Sequence, residues 1–221
     1  MRFSREGFNR HLNNIGQKIM WRASYACPCV NKNSGAADPR CPLCTGVGRV
    51  WDSPVETVVG VASQKTQERW AKLGMYEVGD MVLSIPENSA MWGRGGQFDR
   101  VTSLNGLDGF SEVLTRGAPT EKIRYQVNSI IRVFWRNPQN PREMVEGGIP
   151  TIDEQGNLTW ASNAPPPGVT YSITGDRFSE YFMIDGFPSD RNQHSGMRLP
   201  KNVVLRKWDL FGRGARTPAT P

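Results

Sequence analysis

Only two histidines, His11 and His194, occur among the 221 residues. Histidine is the side chain that most readily moves protons near neutral pH, so general-base hydrolysis lacks its usual centre. No phosphate-binding Walker loop, nucleophile elbow or His-Glu-x-x-His motif is present. The expectation is a chain with no catalytic residues that is not an enzyme. No run of about 18 apolar residues exists, which excludes a membrane-crossing helix and predicts no membrane partner. The opening Met1-Arg2-Phe3-Ser4-Arg5-Glu6 lacks the apolar region of a secretion signal. Folding in a reducing compartment is therefore expected, where paired cysteines hold metal more often than they form disulfides.

Cysteine is equally scarce, but its placement is informative. All four cysteines lie between residues 27 and 44, as Cys27-Pro28-Cys29 and Cys41-Pro42-Leu43-Cys44 with eleven residues between the pairs. Two close pairs across a short polar loop suit a tetrahedral thiolate site for Zn²⁺. Thr45-Gly46-Val47-Gly48 completes a Cys-x-x-Cys-x-Gly-x-Gly zinc-knuckle pattern, in which the glycines let backbone amides turn toward the thiolates. The alternatives are unligated thiols or disulfides. A filled four-cysteine site has no open position for substrate, so the zinc would be structural.

Charge is unevenly distributed. Residues 1–50 carry a net +6 and residues 191–221 another +6, whereas residues 51–190 carry −6. Basic ends of this kind favour docking on an acidic surface, another copy of the chain, or nucleic acid; the alternative is that they are solvated arms.

Ser4 can cap a helix over residues 4–22, along which Phe8, Leu12, Ile15 and Ile19 form one apolar stripe. After the cysteine loop the signals are those of strands. Val55–Val61 is β-branched, and residues 77–86 read as a turn followed by a strand that stops at Pro86. Between them, Gln64–Lys72 forms a short helix or an irregular crossing. Gln97–Leu104 is predicted to end at an Asn105-Gly106 turn. Residues 123–135 alternate with a period of two, and Thr151-Ile152 with Leu158-Thr159-Trp160 flank a hairpin turn. Val169–Thr174, Tyr181–Ile184 and Val203–Arg206 follow. Trp135, Trp160 and Trp208 are candidate core or interface anchors. The predicted fold is mainly β: an antiparallel barrel or sandwich with an N-terminal helix and a small zinc-binding loop. The predicted organisation is a helix and four-cysteine loop over 1–50, a β body over 51–211 and an extended tail over 212–221.

The element from Cys27 to Gly48 after a helix, together with Val78-Gly79-Asp80, Ala164-Pro165-Pro166-Pro167-Gly168-Val169-Thr170-Tyr171-Ser172 and Arg198-Leu199-Pro200, resembles neck structural proteins of tailed bacteriophages. That resemblance implies a virion protein assembled in the host cytoplasm. It would form a ring of identical subunits joining a portal or adaptor protein to tail proteins, at the head-to-tail connector or collar, around a channel that packaged DNA crosses with non-specific contact. The alternative from the residues is a zinc-knuckle nucleic-acid-binding protein, with Trp21, Tyr25 and Trp51 stacking bases.

Overall fold

A computed structural model describes residues 4–44, 46–62, 79–123, 125–153, 156–186, 193–194 and 196–207. The expected crossing at 64–72, the tail from 212 and Trp208 lie outside them. The chain forms two compact units, one from residues up to Asn105 together with the stretch from Glu180, the other from Gly106 to Ser179.

The first unit is a closed six-stranded antiparallel barrel. Its strands are β1 (Gln17–Arg22), β4 (Val55–Val61), β5 (Met81–Ile85), the start of β6 (Arg100–Thr115), the end of β11 (Thr170–Gly186) and β14 (Lys201–Lys207). Around the barrel they run β14-β5-β4-β1-β6-β11, and β11 pairs back to β14 to close the ring. Ile19, Val59, Leu83, Ile85, Val101, Val203 and Leu205 are each at most 1% exposed and fill the interior. A short helix, α2 (Ala90–Arg94), is capped by Ser89 Oγ and adds Met91 to that core. Asp80, just ahead of β5, accepts two hydrogen bonds of 3.1 Å from the Arg206 guanidinium on β14. This bidentate pair fastens neighbouring strands across the seam.

The N-terminal helix is shorter than its stripe predicts. α1 covers Arg5–Ile15, and Gly16 separates it from β1. Ile19 and Trp21 alternate inward with a period of two, and β1 pairs with both β4 and β6. The spacing of Ile15 to Ile19 fits either period, and the barrel interior takes Ile19 while Ile15 stays exposed.

In the second unit the sheet order is β6-β11-β7-β8, with β7 at Val127–Arg136 and β8 at Met144–Glu146. The hairpin is present as β9 (Thr151–Ile152) and β10 (Leu158–Thr159), turned by Asp153, which accepts from the Asn157 amide. Phe110, Ile123, Val133, Trp135, Tyr171 and Ile173 make a separate core, with Trp160 edge-on to Tyr171 at 5.5 Å. Gly175 on β11 lies opposite Ile130, and a side chain there would run into the Ser129 carbonyl oxygen. Two sequence expectations change here. Asn105-Gly106 does not end a strand, because β6 continues to Thr115; and residues 169–174 and 181–184 belong to one long strand, β11.

Candidate metal centre

The cysteine loop grows from a two-stranded ribbon. β2 (Ser24–Ala26) pairs with β3 (Arg49–Trp51), and the Cys27 amide donates to the Gly48 carbonyl at 2.9 Å to extend the ladder. Beyond it the chain turns twice. Val30 N–H donates to Cys27 O and Val47 N–H to Cys44 O, each at 3.0 Å, so both cysteine pairs sit in tight turns. Gly46 and Gly48 adopt φ of +88° and +77°. A Cβ at Gly48 would press on Ala37 and Val30, so both space and backbone conformation require glycine there.

These turns bring together all four cysteines singled out from the sequence. The Sγ atoms of Cys27, Cys29, Cys41 and Cys44 lie within 4.8 Å of one another. Cys27 and Cys41 are 3.8 Å apart and Cys29 and Cys44 3.4 Å. Four sulfurs at about 2.3 Å from a tetrahedral ion are separated by about 3.8 Å, so the cluster has the span of a metal site. None of the four is in a disulfide, and Cys27, Cys41 and Cys44 are buried.

The electrostatics of the cluster are uneven. Burial opposes ionisation of Cys44, but the amides of Gly48 and Gly46 and the neighbouring thiols outweigh it and bring this group down to about 7. The Gly48 amide lies 3.3 Å from the sulfur. Burial pushes Cys29 up to about 12, against the Asp38 amide. The Cys27 thiol is also raised: the Cys29 amide favours its thiolate, but burial and the Cys44 and Cys41 thiols prevail. One thiolate forms readily, and clustered thiols resist further ionisation until a cation compensates the charge. Such a donor set could hold a soft or borderline divalent metal, and with all four sulfurs bound a tetrahedral ion would have no position left for a reacting ligand.

Asp99 ties the ribbon to the barrel. It is 1% exposed and accepts from Trp21 Nε1 at 2.8 Å and from the amides of Ser24 and Gly96 at 2.9 Å. Ser24 begins β2, whereas Trp21 lies in the barrel wall. Beside it, Phe98 holds a φ of +68°, accepts from Trp51 Nε1 at 3.0 Å and lies under the Arg49 guanidinium at 4.1 Å. A bulky residue in the left-handed region persists only where its surroundings hold it. The signal available in the sequence was Gly95-Gly96 followed by an acid just before a strand.

The aromatic residues considered for base stacking are split. Trp21 and Trp51 are buried in the fold, and only Tyr25 is exposed. Its hydroxyl donates to Asp52 at 2.9 Å and accepts from Arg94 at 2.9 Å. His11 lies on α1 and is exposed, and His194 falls in the small hairpin of β12 (Gln193–His194) and β13 (Met197–Arg198); neither is among the metal-site cysteines. No protein-family model and no curated protein matches the chain.

Proposed function

We propose that this chain is a structural virion protein of the tailed-phage neck, a ring subunit that joins portal or adaptor to tail, with a structural Zn²⁺ on Cys27, Cys29, Cys41 and Cys44. The observation that carries the reading is a closed four-sulfur cluster on a ribbon bonded through Asp99 to a closed barrel. A thiolate tetrad fixes shape and turns nothing over. That arrangement, and the sequence resemblance to neck proteins, favour a rigid assembly part over a catalyst. Zinc is preferred among soft-ligand metals because it needs no redox partner and accepts a tetrahedral sulfur cage.

The test is the composition and geometry of phage particles that encode the chain. A label on the chain should appear only at the capsid–tail junction, and particles lacking the chain should lose that junction. A chain absent from particles overturns the reading. The nucleic-acid alternative draws on exposed Tyr25 beside Arg94. It requires binding of oligonucleotides by the isolated protein with affinity falling steeply as salt rises.

A further inference from the structure

We infer that Cys29 is an oxidation site with Cys44 as its resolving partner, so that peroxide exchanges the metal clasp of the ribbon for a disulfide. The inference rests on the metal reading above and adds a second state to the same sulfurs.

Access and proximity select the pair. Cys27, Cys41 and Cys44 are buried, whereas Cys29 is half-buried and follows the exposed Pro28. A solvent-borne oxidant therefore meets Cys29 first. Its sulfur lies 3.4 Å from that of Cys44, closer than the 3.8 Å between Cys27 and Cys41. It is also closer than the edge of about 3.8 Å that a tetrahedral thiolate site needs. The contact runs from one turn to the other, between residues 15 positions apart in the chain.

The backbone keeps these thiols apposed without help from an ion. Asn31 N–H donates to the Ala36 carbonyl at 2.9 Å, Gly35 N–H to the Asn31 carbonyl at 2.8 Å and Cys41 N–H to the Asp38 carbonyl at 3.1 Å. The Cys27 amide joins the two ends of the loop through the Gly48 carbonyl. None of these bonds passes through a sulfur, so departure of the metal leaves Cys29 and Cys44 facing each other.

Hydrogen peroxide serves as the two-electron oxidant. A metal-bound cysteine is a thiolate. The Cys29 sulfur attacks one peroxide oxygen; the S–O bond forms, the O–O bond breaks and hydroxide leaves, giving a sulfenic acid. The Cys44 thiolate then attacks the Cys29 sulfur; the S–S bond forms, the S–O bond breaks and a second hydroxide leaves. The two sulfurs lose two electrons, and one peroxide takes both. A resolving thiolate in contact captures the sulfenic acid before a second peroxide carries it to the sulfinic acid. Cys27 and Cys41 remain as two ligands where a structural zinc site uses four, and the ion is released. The new bridge holds residues 29 and 44 together as the ion did, so the ribbon keeps its closure in oxidising surroundings.

The full-length, Zn²⁺-loaded protein treated with hydrogen peroxide tests this. A chromophoric chelator reads metal release, and peptide mass spectrometry after thiol blocking maps the bridge. Peroxide should yield a Cys29–Cys44 disulfide and free about one ion per chain, and dithiothreitol with Zn²⁺ should restore the starting state. Proteases should cut the oxidised ribbon between residues 27 and 48 roughly tenfold more slowly than the reduced, chelator-stripped one. Cys27→Ser keeps both partners and should form the same bridge, whereas Cys29→Ser should react with peroxide roughly tenfold more slowly. A different bridge, a sulfinic acid at Cys29 with no bridge, or full metal retention in excess peroxide overturns the exchange and leaves the metal site standing. An oxidised ribbon cut as fast as the stripped one overturns the clasp. A full-length chain that takes up no Zn²⁺ overturns the metal reading itself, and the exchange falls with it.

Discussion

Replacing Asp99 by alanine tests whether the cysteine ribbon and the barrel are one mechanical object. The substitution leaves the buried indole N–H of Trp21 and the half-buried amides of Ser24 and Gly96 without their acceptor. Each orphaned donor costs about 1–3 kcal/mol, a gross loss of about 3–9 kcal/mol. Part of that is returned, because burial raises the Asp99 carboxyl above its ordinary value despite those donors and Arg49. The net loss is therefore about 2–5 kcal/mol, equivalent to a fall in Tm of roughly 5–15 °C for a chain of this size. Urea unfolding followed by tryptophan fluorescence reads it directly. The sign of the pH dependence gives a second readout. With a folded pKa above the unfolded one, the native state binds the proton more tightly, so Asp99 contributes least above its folded pKa. The gap between the two proteins should widen as pH falls from neutral into the carboxylate range. A loss below about 1 kcal/mol, or a gap that narrows on acidification, refutes the role assigned to Asp99.

Cys41→Ser should abolish stoichiometric metal, about one ion per chain by elemental analysis, and release the ribbon to proteolysis between residues 27 and 48; retained metal would show that three sulfurs suffice. Metal retention should weaken steeply with acid, because Cys27 and Cys29 sit above the ordinary thiol value and must lose protons to bind. A competition titration with a chromophoric chelator should show at least about two protons released per ion at neutral pH, and proton-independent binding would contradict the thiolate site. Gly175→Ala forces a methyl group against the Ser129 carbonyl oxygen and should lower stability by about 3 kcal/mol in chemical denaturation without changing metal content.

The cysteine cluster was legible because its chemistry is local: four ligands and two glycines fall within 22 residues. Strands β4, β5 and β14 were legible too, since each contains a short run rich in β-branched residues, and Pro86 marks the end of β5. What escaped was whatever depends on a distant partner. Ile19 reads as the last rung of a helix until β4 and β6 are known to flank it. Asn105-Gly106 reads as a turn, yet Gly106 stays out of the left-handed region and the strand runs on. Asp99 is one acid among many until folding places Trp21, 78 residues away in sequence, against it.

The seam closed by Asp80 and Arg206 has a temporal consequence. Five of the barrel's six strands have been made by residue 186, but the sheet stays open along β5 and β11 until residues 201–207 are synthesised. Residues 106–179, which hold the second core, are contiguous in sequence and can collapse earlier, during translation. Each nascent chain thus carries an unclosed barrel whose final stave arrives late, and pairing of such distant segments is a slow step. A ribosome stalled before residue 201 would hold a polypeptide with its Leu83 and Ile85 wall still wet, a natural client for chaperones.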